Sequence, residues 1–89
     1  MARRFPPRAP SGLTVGALYR VVRTFTCEAC TFAEGDVLRF EGEGFIPEEN
    51  CDVWRFTVPD TNRLRALLGN PQFAKPQTWR GNFAAVKAA

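Results

Sequence analysis

Val53-Trp54-Arg55-Phe56-Thr57-Val58 decides how this chain folds. On an extended backbone Trp54, Phe56 and Val58 fall on one side and Val53, Arg55 and Thr57 on the other, the period of a half-buried strand. Pro59 ends the run. Upstream, Gly35-Asp36 reads as a tight turn that starts a second strand, in which Leu38 and Phe40 face inward and Arg39 and Glu41 outward. Gly42 and Gly44 bracket Glu43, as glycines do where a sheet bends or bulges, and Pro47-Glu48-Glu49-Asn50 makes an acidic turn. Further back, residues 18–25 place Tyr19, Val21 and Phe25 on one face and Leu18, Arg20, Val22 and Thr24 on the other, with Arg23 interrupting the apolar side. Residues 26–34 read as a loop holding two cysteines. The alternation predicts a mainly β chain, a small curled antiparallel sheet with Tyr19, Leu38, Phe40, Trp54 and Phe56 in one interior.

The ends read differently. Asp60 can cap a short C-terminal helix over residues 61–68, with Leu64, Leu67 and Leu68 on one face and Gly69 and Pro71 as stops. Phe73, Trp79, Phe83 and Val86 follow in a Pro- and Gln-containing segment, with a last helix expected from Asn82. Residues 1–12 contain three Pro and three Arg, so apolar burial cannot offset the entropy of ordering them. They predict a mobile basic arm ahead of one domain over residues 13–89. Within the arm, Arg4-Phe5-Pro6-Pro7-Arg8-Ala9-Pro10 fits a basic-x-x-Pro-x-x-Pro pattern suited to polyproline II recognition.

At 89 residues, the chain has room for one modest core, and its 45% hydrophobic and 24% charged residues match an ordinary globular domain. With no His, the commonest general base and neutral metal ligand are missing. The net charge of +3 hides a segregation. Residues 13–59 hold four Arg against eight Asp and Glu, whereas residues 60–89 hold five Lys and Arg against Asp60 alone. Three cysteines and no apolar signal core point to a reducing compartment, with the cytoplasm expected. No run approaches the roughly 20 apolar residues of a membrane span.

Ala17-Leu18-Tyr19, then Phe32, Gly35-Asp36-Val37-Leu38 and Trp54, are ordered as in Src-homology-3-type barrels. Tyr19-Arg20-Val21, Phe25, Phe32, Gly35-Asp36, Leu38-Arg39-Phe40, Phe45 and Pro47 also resemble a family of small uncharacterised bacterial domains of unknown function with that barrel. The resemblance implies a small open Src-homology-3-like antiparallel barrel. It also implies a peptide groove in which Tyr19 takes part, with Glu28 and Glu34 in the loop that would meet a ligand arginine. Val21 stands where a second groove tyrosine is expected, and Arg55 follows Trp54 where a second tryptophan is usual.

Cys27-Glu28-Ala29-Cys30 is the spacing that points most directly to chemistry, since two thiolates three positions apart can clasp zinc. Only Cys51 can add a third sulfur, so a zinc-stabilised domain through Cys27, Cys30 and Cys51 stands as an alternative, with ordinary loop cysteines the plainer reading. Glu41, Glu43, Glu48 and Glu49 read as solvated turn and edge acids, and no nucleophile or phosphate motif is present, so no enzyme activity and no cofactor are expected. A pI of about 9.1 raises nucleic-acid association through the basic ends, opposed by the acidic middle. The expected function is a binding module for a protein or peptide partner. Tyr19, Phe45 and Trp79 would form its aromatic patch, with acidic steering by Glu28 and Glu34; a homo-oligomer with the arm of one subunit along another's acidic sheet is the related expectation.

Overall fold

A computed structural model describes residues 5–27, 30–69 and 75–86. Within them run β1 (Leu18–Val21), β2 (Phe25–Cys27), β3 (Cys30–Phe32), β4 (Val37–Ile46), β5 (Cys51–Val58), β6 (Arg63–Leu68) and β7 (Phe83–Ala85). Two 3-10 turns, Pro76–Thr78 and Arg80–Asn82, precede β7. The protein is mainly β and every pairing is antiparallel. Five strands form one sheet in the order β6-β5-β4-β1-β7, and β2 and β3 form a separate two-stranded ribbon. The edge strands β6 and β7 are not paired with each other, so the sheet curls without closing.

The expected interior is present: Tyr19, Leu38, Phe40, Trp54 and Phe56 are all buried in one cluster with Phe32, Leu67, Trp79 and Phe83. The aromatic rings knit elements distant in sequence. Phe56 stacks on Phe83 at 5.0 Å, Phe25 stacks on Phe32 at 4.9 Å, and the Trp54 and Trp79 centroids lie 4.9 Å apart. These offset and tilted contacts add to what area burial alone supplies.

The glycine pair of β4 does what its spacing predicts. Register slips between Phe40, opposite Phe56, and Gly42, opposite Arg55, so Glu41 is the extra residue of a bulge. Gly42 has φ of +146°, which L side chains rarely adopt. The inserted residue exchanges the faces of the strand. Beyond it Glu43 and Phe45, instead of Gly42 and Gly44, share the face of Trp54 and Asp52.

Several expectations are corrected. Residues 61–68 are not a helix: Asn62, at φ of +56°, closes a turn with its N–H on the Val58 carbonyl at 2.7 Å, and β6 runs straight back along β5. A segment of this length is marginal as a helix, while the open edge of β5 supplies backbone hydrogen-bond partners for alternate residues of β6. The segment after Asn82 is likewise the strand β7, paired with β1 and carrying Phe83 into the core, not a helix. Residues 26–34 are not simply a loop, because Phe25 pairs with Phe32 and Cys27 with Cys30 across β2 and β3. The first strand ends at Val21, earlier than expected.

Residues 5–12, expected to be mobile, lie against the sheet. β4 has 10 residues and β1 only 4, so the far half of β4 has a free edge, where the Phe45 N–H donates to the Phe5 carbonyl at 3.0 Å. A side chain at Gly44 would meet that carbonyl at 3.1 Å, so glycine permits the close approach. The Arg8 and Ala9 N–H groups donate to the two Asp52 carboxylate oxygens at 2.8 and 2.9 Å, and the Ser11 hydroxyl donates to Glu43 at 2.6 Å. The arm therefore covers an edge and supplies hydrogen-bond donors to two inward-facing carboxylates.

Candidate binding groove

A groove of about 490 Å³ opens on the curled sheet between the Gly35-Asp36 turn and the corner after β5. Both walls are held by backbone hydrogen bonds. Gly35 N–H donates to the Val21 carbonyl and Val21 N–H to the Asp36 carbonyl, each at 2.8 Å, pinning the turn to the end of β1. On the other side the Thr61 and Asn62 N–H groups converge on the Val58 carbonyl at 3.2 and 2.7 Å and fix the corner that carries Pro59 and Asp60. Leu18, Val37, Leu38, Val58 and Pro59 supply the apolar lining, and Asp36, Asp60 and Arg65 the charges. Its volume falls in the range of small-ligand sites.

Arg65 enters from β6, where it stands opposite Phe56 and so shares the core-facing side of the sheet. Its Nη1 donates to the Thr31 carbonyl at 3.1 Å and lies 3.8 Å from the Cys30 Sγ, while its buried Nε has no hydrogen-bond partner among the described residues. The side chain thus spans the seam between β6 and β3, where the barrel fails to close. Neither Asp36 nor Asp60 is ion-paired among the described residues; the Arg8–Asp52 and Arg39–Glu41 pairs lie elsewhere. Among the described residues the Asp36 carboxylate accepts a long 3.3 Å hydrogen bond from the Ala33 N–H.

The residues expected to form a contact surface are not brought together. Tyr19 is buried, its hydroxyl accepting the Thr14 N–H at 2.7 Å, and Trp79 is fully buried against Trp54. Both belong to the buried core cluster, so neither ring stands exposed for a partner. Phe45 is half-buried with the Arg8 guanidinium 4.6 Å over its ring, a contact made by the chain's own arm. Glu34 is exposed on the turn beside the groove, its N–H donating to the Thr24 hydroxyl at 2.8 Å. Glu28 lies outside the described residues. Cys27 and Cys30 face each other across β2 and β3, whereas Cys51 stands opposite Ile46 at the far end of β5. Among the described residues no three Cys, Asp or Glu side chains gather closely enough to hold a metal ion.

Asp36, Asp60 and Arg65 were legible only as turn former, helix cap and surface charge. Nothing in their spacing, at positions 36, 60 and 65, announces that they meet. The arginine is the partial exception, since a cation among Leu64, Leu67 and Leu68 would have stood out had the segment been read with period two. No helix among the described residues is long and apolar enough to cross a membrane.

Comparison with protein-family models finds no match, and comparison with curated proteins finds none. Among solved structures the chain is similar to an integron cassette protein from the mobile metagenome of Vibrio cholerae, with a TM-score of 0.68 and 27% identity over 90% of this chain and 93% of that one.

Proposed function

We propose that the protein is a small non-enzymatic binding module that takes a basic peptide segment in the groove between Asp36 and Asp60. The observation that carries this reading is a pair of carboxylates without ion-pair partners among the described residues, set on two hydrogen-bonded corners over an apolar floor. A Lys or Arg side chain lying between them would gain charge-assisted hydrogen bonds from both walls, while its aliphatic stem covers Leu18 and Val58. Exposed Glu34 beside the groove adds steering to the same sign of charge. The chain's own arm lends support: Arg8 already docks on the acid side chain of Asp52 and the ring of Phe45, the chemistry expected of such a ligand.

The order of strand, ribbon-bearing loop, Gly-Asp turn and Trp-bearing strand supports placing the module among Src-homology-3-like barrels. The similar cassette protein supports a bacterial setting. The test is titration of the labelled chain with short peptides carrying two arginines, followed by nuclear magnetic resonance. Amide shifts should cluster at residues 35–38 and at Val58 and Asp60, and the Asp36→Asn, Asp60→Asn double variant should bind about tenfold or more weaker while keeping its dispersed spectrum. Shifts confined to other surfaces, or affinity unchanged in the double variant, would remove this function.

A further inference from the structure

We propose that Cys27 and Cys30 form a reversible dithiol–disulfide pair whose redox state controls how firmly the β2–β3 ribbon is held to β6. The two residues are directly opposite in antiparallel strands, so their side chains leave the ribbon on the same face. Opposed Cα atoms stand about 4.5–5.5 Å apart, inside the span of about 4.4–6.8 Å that a disulfide bridges, and the Cβ atoms need close by only about 1 Å. No backbone refolding is required. Both sulfurs also touch β6. The Cys27 thiol donates to the Leu68 carbonyl at 3.2 Å, and the Cys30 sulfur lies beside the Arg65 guanidinium.

The two sulfurs differ in access, which orders the chemistry. Cys27 is buried and Cys30 half-buried, so Cys30 meets an oxidant first, with Arg65 supplying a cation beside the sulfur that attacks. With a small disulfide such as oxidised glutathione, the Cys30 thiolate attacks one sulfur, breaks that S–S bond and expels one glutathione thiolate. Cys27 then gives its proton to water, attacks the Cys30 sulfur of the mixed disulfide and expels the second glutathione. Two protein thiols are oxidised by two electrons while one glutathione disulfide is reduced to two thiols. Cys51 stays out of the reaction, because burial and then the nearby Glu49 and Asp52 charges raise its pKa and keep it a thiol.

Closing the bond removes the proton that Cys27 donates to Leu68 and draws the Cys30 sulfur away from Arg65. The link from Arg65 to the Thr31 carbonyl does not involve the thiols, whereas the Leu68 and Arg65 contacts of the two sulfurs do. Oxidation should loosen the seam. The full chain is equilibrated in glutathione buffers of rising oxidised fraction, quenched, alkylated and weighed, and peptides are assigned by fragmentation. A species two hydrogens lighter should accumulate, with alkylation lost at Cys27 and Cys30, kept at Cys51, and restored by dithiothreitol. The Cys51→Ser variant should behave identically, and Cys27→Ser should stop at glutathione attached to Cys30. Hydrogen exchange of amides in residues 64–68 should speed up in the oxidised form. Three alkylated thiols in the most oxidising buffer, a wild-type chain that stops at the mixed disulfide, or oxidation seen only in denaturant would overturn the pair. A formed disulfide with unchanged exchange in residues 64–68 would overturn its control of the seam.

Discussion

Asp52 and Cys51 are neighbours whose environments could hardly differ more from those of the free side chains. Asp52 is 3% exposed, yet its carboxylate accepts two backbone N–H bonds from the arm and lies 3.9 Å from the Arg8 guanidinium, so its buried charge is answered. That charge in turn acts on Cys51. Loss of water raises the thiol pKa above its ordinary 9.0, and Glu49 and Asp52 raise it further, opposed by Arg8 and a Gly69 N–H. A thiol that holds its proton more tightly folded than unfolded contributes stability fully present below pH 9.0 and lost as pH rises through the folded value. Urea melts between pH 8 and 10.5 should therefore show a downward slope that flattens in Cys51→Ala. Equal slopes in both proteins would show that the thiolate is accommodated.

At the scale of elements, β6 shows why a short leucine-rich run deceives. Leu64, Leu67 and Leu68 share one side of a helix, but in the strand Leu67 lies opposite Trp54 and is fully buried, while Leu64 lies opposite Thr57 and is 59% exposed. The two conformations make opposite claims about one pair of substitutions. Leu67→Ala should cost about 2–5 kcal/mol, and Leu64→Ala no more than about 0.5 kcal/mol. Chemical denaturation of both variants checks this, and comparable losses would favour the helix. The β2–β3 ribbon presents the same lesson from the other side. Its residues alternate too briefly to declare strands, and it is Phe25 and Phe32, stacked on each other and edge-on to Phe83, that order it.

For the molecule as a whole, the segregation of charge along the chain becomes a docking geometry. The acidic middle folds into a sheet whose far end turns Glu43 and Asp52 inward, and the basic arm returns to meet them. Deleting residues 1–12 would leave those carboxylates without donors and open the free edge of β4. The truncated chain should lose about 2–4 kcal/mol, a fall in Tm of roughly 8 °C or more for a domain of this size. Differential scanning calorimetry of both forms decides it, and a Tm unchanged within 2 °C or so would mean that the arm rests on the sheet without supporting it.

What the amino-acid sequence determined alone is the mainly β character, three strands read over residues 18–25, onward from the Gly35-Asp36 turn and over residues 53–58, the bulge at the glycines and the buried places of Tyr19, Trp54 and Phe56. These follow from alternation and turn chemistry, which are local. Tertiary structure alone decided that residues 63–68 and 83–85 become strands, that Trp79 is core, and that the arm lies on the sheet. It alone brought Asp36, Asp60 and Arg65 to one groove. In each case the outcome depends on which partner a short or ambiguous segment meets, and a free strand edge or an unanswered buried charge exists only once the rest of the chain has folded.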